Sequence, residues 1–202
     1  TACAVHAAAA HPGAGGVTVV LGAGTIGLCT IAALAHRDVA VVAVAKHPEQ
    51  RRLARDLGAG TVCEPGELAG VVRRLTGSLH IGGQLTGGAD HVFDCVGSSD
   101  SIRESLQVVA PGGTIHLVGM PASVTVDLTG LWHREVSITG RYAYTHAEFA
   151  HAFDVVRDQR LGRLVSATYP LDRFTDAIQH AAEAGRRGAV KIAFDLRTEK
   201  DR

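Results

Sequence analysis

The residues with the most chemical content stand between Gly22 and Arg52. Gly22-Ala-Gly-Thr-Ile-Gly27 is a GxGxxG turn. It follows the β-branched run Val17–Leu21 and opens an Ala/Leu/Ile-rich stretch, Ile26 to His36, that contains no proline. A glycine turn between strand and helix is the context in which this motif binds a dinucleotide. Gly22 permits the tight turn, Gly24 removes the Cβ that would keep the backbone from a pyrophosphate, and Gly27 lets the helix pack closely on the strand. The first helical N–H groups, at Thr25 and Ile26, then point at the phosphate, and the helix dipole favours its charge. S-adenosylmethionine sites also begin with a strand and a glycine turn. The third glycine and the chemistry of the second strand disfavour that reading.

The second strand sets the cofactor type. An NAD site places Asp or Glu about 20 residues on, to bond the ribose 2′-hydroxyl. Here the strand ends Val44-Ala45-Lys46-His47. Ala45 occupies the acid's place, Lys46 follows it, and Arg51 and Arg52 are close. No carboxylate repels a 2′-phosphate there and several cations can pair with it, which predicts NADP(H). Glu49 keeps NAD possible, since it can swing toward a ribose.

Other reactive residue types are scattered. Cys3, Cys29, Cys63 and Cys95 form no CxxC pair and read as free thiols in a reducing compartment. The 11 histidines show no HExxH spacing and read as surface or satisfied core residues. Trp132 and the Tyr142 to Tyr144 stretch are candidates to line a substrate cleft, although Trp132 reads better as an anchor in the core or at a subunit contact. No residue is assigned as catalytic or as a metal ligand.

The elements that must position this turn follow from periodicity. Strands are expected at 17–21, 39–44, 61–63, 91–96, 114–118 and 136–140, with helices near 26–36, 48–57, 67–75 and 101–109. The Gly-rich stretch Gly82 to Gly88 reads as a long surface loop. Alternating strands and helices imply an α/β fold with a doubly wound parallel sheet. The tail differs: helices at 147–159 and 172–184 and strands at 164–169 and 190–194 read as parts of a second subdomain. The 202 residues carry 20 Lys+Arg and 20 Asp+Glu, a formal net charge of zero, so no bulk field attracts nucleic acid or anionic lipid. No apolar run reaches the roughly 18 residues of a membrane span.

Beyond the glycine turn, several stretches together resemble the medium-chain dehydrogenases, the zinc-type alcohol dehydrogenase superfamily. They are Cys3-Ala-Val-His-Ala7, Val17 to Leu28, Leu53-Ala-Arg-Asp-Leu-Gly-Ala59, Ala89 to Ser98 and Pro111 to Pro121. Asp127 to Glu135, with Tyr142, is similar to a threonine- or sorbitol-dehydrogenase-like branch. The resemblance implies a six-stranded Rossmann sheet over residues 1–142, lead-in helix included. It also implies that 143–202 is the C-terminal part of a mostly missing catalytic domain. Cys95, Val96 and Gly97 would border the path from adenosine to nicotinamide. Val118, Gly119 and Met120 would offer backbone groups to the carboxamide, and Arg141 would close the far side beside Gly140 and Tyr142. Zinc in this family sits in an N-terminal domain that these residues do not include. Cys3 lies near a junction where some relatives place a ligand, but its context reads as helix packing.

The resemblance further implies a small alcohol or carbonyl substrate, a homodimer through the sheet edge at the sixth strand, and a cytoplasmic location, with no nucleic-acid or membrane partner. The abrupt start at Thr1 reads as an excised piece, with apolar surface exposed on the tail. Two readings remain: the cofactor-binding part of an oxidoreductase, or a nucleotide-binding or structural module without chemistry.

Overall fold

The computed structural model describes residues 1–13, 15–81, 83–86, 88–119 and 123–197. The chain begins with helix α1 (Ala2–Ala9), then runs β1 (Val17–Leu21), α2 (Thr25–Ala35), β2 (Val41–Val44), α3 (Pro48–Asp56), β3 (Ala59–Cys63) and α4 (Leu68–Thr76). A short hairpin, β4 (Leu79–Ile81) and β5 (Gln84–Thr86), precedes β6 (Ala89–Asp94), α5 (Ser99–Val108), β7 (Val109–Leu117), α6 (Thr129–His133) and β8 (Ser137–Gly140). The tail is α7 (His146–Asp158), β9 (Val165–Tyr169), α8 (Phe174–Ala182) and β10 (Lys191–Phe194).

Six strands form one sheet in the order β3-β2-β1-β6-β7-β8, and every neighbouring pair is parallel. The order reverses beside β1, so a crevice opens at the carboxyl ends of β1 and β6. The strands are apolar along their length because both faces are covered. One face carries α1, α2 and α3, with Val20, Phe93, Leu28, Ile31 and Leu53 in its core; the other carries α4 and α5, with Val19, Val92, Leu68, Ile102 and Ile115. This is the doubly wound α/β sheet that the alternation of elements predicts.

Three expectations change in detail. The Gly-rich stretch is not simply a loop: it contains β5, which pairs antiparallel with β4 just before it, as strands of three residues, too short for alternation to show. β7 starts before the Pro111-Gly112-Gly113 turn, pairing Val109 with Ala89, then shifts register so that Thr114 pairs with His91. Trp132 is not a core anchor; its side chain is 77% exposed on α6.

The tail shares the first core. Ala152 and Val155 of α7, with Leu161 and Leu164, pack with α1 and α2, and Arg163 donates to Asp56 O at 3.1 Å. β9 and β10 pair parallel in a separate sheet. Around it Leu171, Phe174, Ile178 and Phe194 are exposed, the uncovered apolar surface expected of this segment. Among the described residues no helix is long and apolar enough to cross a membrane.

Arg73 Nε is buried without a hydrogen-bond partner among the described residues, but several other buried polar groups are satisfied. Arg134 donates to Gly130 O, Val109 O and Leu106 O at 2.6 to 2.9 Å, closing the end of α5 with a cation. His11 bonds Thr18 Oγ1 at 2.8 Å and accepts from Gly13 N. His116 stacks on Phe93 and lies 3.2 Å from His91. Burial lowers the His11 imidazole to about 4 and the His116 imidazole to about 3, with nearby positive groups adding to both. In the unfolded chain both take up protons near pH 6.5. The unfolded state therefore binds more protons below that pH, and stability falls as pH falls from about 6.5 toward 4 and 3. Denaturant titrations at pH 7.5 and pH 5 should show the loss, and His116→Gln should flatten it; an equal pH dependence in the variant would rule His116 out as a source.

Candidate functional site

The crevice is built from three chain turns at the carboxyl ends of β1, β6 and β7. The first is the glycine turn. Gly22 has φ +86°, and a Cβ on it would lie 2.5 Å from Val96 Cγ2. A Cβ on Gly27 would fall on the carbonyl oxygen of Gly22, so helix and strand approach as closely as the motif requires. Gly24 is different: a Cβ there would meet nothing within 4 Å, and its φ is −75°. The protein itself does not demand a glycine at this position; a ligand lying against the backbone would. Gly24 is the N-cap of α2 and provides no side-chain cap. The first helical bond is Leu28 N to Gly24 O at 2.9 Å, so the N–H groups of Thr25, Ile26 and Gly27 lack helical partners. Open space plus uncapped donors fits an anionic group such as a pyrophosphate.

The second and third turns are organised by Asp94, a residue the sequence reading missed. It is fully buried at the end of β6. Its Oδ1 accepts from Val96 N at 2.8 Å and Gly97 N at 3.0 Å, and its Oδ2 accepts from Ser101 Oγ at 2.8 Å. Its main-chain oxygen accepts from Val118 N at 2.9 Å and Gly119 N at 2.8 Å. A Cβ on Gly119 would lie 2.7 to 2.8 Å from the backbone of Cys95 and Val96. The signal available in sequence was an Asp ending a strand just before Val-Gly-Ser.

The expected site residues therefore divide. Gly22, Gly24, Thr25, Ile26, Gly27, Val96, Gly97, Val118 and Gly119 meet at the crevice. The amide hydrogens of Val118 and Gly119 are committed to Asp94, however, which leaves only their carbonyl oxygens for a carboxamide. Met120 lies outside the described residues. Cys95 contributes backbone; its Sγ lies 3.9 Å from Thr30 Oγ1, and burial pushes the thiol up to about 12, which disfavours the thiolate. Val96 and Ile26 are exposed there, apolar surfaces on which a ring can lie. Arg141 Nε donates to His116 Nδ1 at 3.2 Å, so this side chain is held by His116.

At the end of β2, Ala45 is buried and no carboxylate replaces it. Arg51 donates to Ala45 O at 3.2 Å and Lys46 O at 3.0 Å and pairs with Glu64 at 3.1 Å. It shapes the strand end and is not a free cation. Glu49 is held by two bonds to Arg52, at 2.9 and 2.6 Å, and this pairing lowers its carboxyl. Lys46 is exposed. Among the described residues no three His, Cys, Asp or Glu side chains stand close enough together to hold a metal ion. The four cysteines are unpaired.

The two motif glycines should separate under substitution. Gly24→Val should leave the melting temperature nearly unchanged and weaken NADPH binding by about tenfold or more. Gly27→Val should destabilise the fold itself. Unchanged nucleotide affinity in a folded Gly24→Val protein would show that the cradle is not the phosphate site.

Comparison with known proteins gives the family. A family model described as zinc-binding dehydrogenase matches residues 25–158. The chain is 34% identical over 188 residues to a protein described as a D-xylulose reductase of Rhizobium meliloti, covering 90% of this chain and 51% of that one. It is 27% identical over 202 residues to an L-threonine 3-dehydrogenase of Saccharopolyspora erythraea, covering 96% and 56%. A zinc-binding dehydrogenase from Sinorhizobium meliloti 1021, solved bound to NADP, superposes with a TM-score of 0.78 at 26% identity, over 96% of this chain and 57% of that one. The chain spans about half the length of the curated relatives it matches. By the family model and by its curated relatives, the chain belongs to the zinc-binding dehydrogenase family.

Proposed function

We propose that this chain is the cofactor-binding part of an oxidoreductase that moves a hydride between NADP(H) and a small alcohol or carbonyl substrate. The observation that carries the proposal is the cradle at Gly24: a Cβ there would meet nothing within 4 Å among the described residues, and the uncapped N–H groups of α2 face it. The nicotinamide cofactor, when bound, supplies or accepts the hydride. The chain's own residues hold and orient it. Thr25, Ile26 and Gly27 present N–H groups to the pyrophosphate, Val96 presents an apolar surface, and the carbonyl oxygens of Val118 and Gly119 accept from the carboxamide. Zinc, in this reading, is held by residues of the whole protein beyond those described. Residues 143–202 are the part of the substrate-side domain that this chain carries, which accounts for the exposed Phe174, Ile178 and Phe194.

NADP over NAD is supported by the end of β2. Ala45 offers no carboxylate to a ribose diol, Glu49 is engaged by Arg52, and Lys46 is exposed beside them. The NADP-bound relative supports the same choice. β8 is an edge strand of the sheet, and we place a two-fold contact between copies there, in a cytoplasmic enzyme.

Fluorescence titration with NADPH and NADH should show NADPH binding about tenfold tighter, with Lys46→Ala removing most of the difference. Equal affinities would overturn the choice of NADP and keep the dinucleotide site; binding of neither would overturn the whole reading. Sedimentation should give the mass of a dimer, and a monomer at micromolar concentration would remove the edge contact.

A further inference from the structure

The turn that joins α8 to β10 returns to the crevice. Gly185 packs against the His47 ring: a Cβ on it would lie 2.3 Å from His47 Cδ2 and 2.4 Å from Nε2. Thr25 Oγ1 donates to Val190 O at 3.4 Å. Ala189 is buried, and its N–H closes the turn on Ala184 O at 2.7 Å. The two ends of the turn are thus pinned to the end of β2 and the start of α2, which flank the adenosine half of the cradle. Between the pins stand two exposed arginines, Arg186 and Arg187.

The cations at this corner are not equivalent. Arg51 is shared with Glu64, Arg52 is clamped between Glu49 and Asp56, and Arg187 lies 3.9 Å from Glu183. Lys46 and Arg186 have no ion-pair partner among the described residues. A ribose 2′-phosphate is a phosphomonoester that carries close to two negative charges at neutral pH. Two unshared cations, one of them a planar guanidinium able to bond two oxygens at once, match it in charge and geometry.

We propose that the 183–190 turn forms the outer wall of the 2′-phosphate subsite and that Arg186, with Lys46, sets the preference for a phosphorylated dinucleotide. This deepens the NADP(H) reading and rests on it. The pinning of the turn matters because it fixes where the Arg186 backbone sits before any ligand arrives, so less ordering is left for binding.

The test uses adenosine 2′,5′-bisphosphate and 5′-AMP, titrated calorimetrically into the chain and into Arg186→Ala, Arg186→Lys and Arg187→Ala. Arg186→Ala should weaken the bisphosphate by about tenfold and change 5′-AMP by less than about twofold. Arg186→Lys should recover much of the loss, and Arg187→Ala should stay within about twofold for both ligands. If the parent chain does not prefer the bisphosphate, or binds neither ligand, the NADP(H) reading itself fails and this inference with it. If the parent prefers the bisphosphate and Arg186→Ala keeps that preference, the turn is not part of the subsite while the NADP(H) reading stands.

Discussion

A single buried carboxylate ties the crevice together. Asp94 accepts from Val96 N, Gly97 N and Ser101 Oγ with its side chain, and from Val118 N and Gly119 N with its carbonyl. An ion taken out of water is costly unless hydrogen bonds replace its hydration, and here three donors do so. The outcome is that the end of β6, the start of α5 and the end of β7 are locked to one residue. A second outcome is chemical. The amide hydrogens of two crest turns are consumed internally, so the donors left open are those of α2. The uncapped donors of α2 lie at one end of the crevice, and the carbonyl oxygens of Val118 and Gly119 lie at the other.

Two other buried polar groups, Arg134 and His116, follow the same rule. Arg134 is buried without a carboxylate and is satisfied by three main-chain oxygens. His116 is held between Arg141, His91 and Phe93. Such networks are expensive when incomplete, so each fixes the loop or strand end it touches. Arg141 illustrates the consequence: a side chain at the mouth of the crevice is bonded to His116 of the neighbouring strand. The tail adds a contrast, with one side of α7 in the main core while the small β9–β10 sheet and α8 keep apolar side chains in water.

Much of the fold was legible because its signals are local. A β-branched strand, a glycine turn and a proline-free helix name themselves within twenty residues, and a doubly wound parallel sheet follows from their alternation and crossover handedness; the strand order came only from the structure. Strand ends were less legible. β7 runs through Pro111-Gly112-Gly113 by shifting its register against β6, a pairing fact that no window of sequence contains. The β4–β5 hairpin was missed for the opposite reason: three-residue strands carry too little pattern.

The sequence by itself determined that a glycine turn joins a strand to a helix, where it lies, and that no carboxylate stands at Ala45. These are properties of residue type and spacing. Only the tertiary structure decided which groups near that turn are free to act. Arg51 and Glu49 look available in the chain, yet each is spent on a neighbour, Arg51 on Glu64 and two carbonyls, Glu49 on Arg52. Gly185, 138 positions from His47 in the chain, lands against its ring. A charge or a donor counts toward binding only if no partner within the fold has already satisfied it, and partners that far apart are settled by packing.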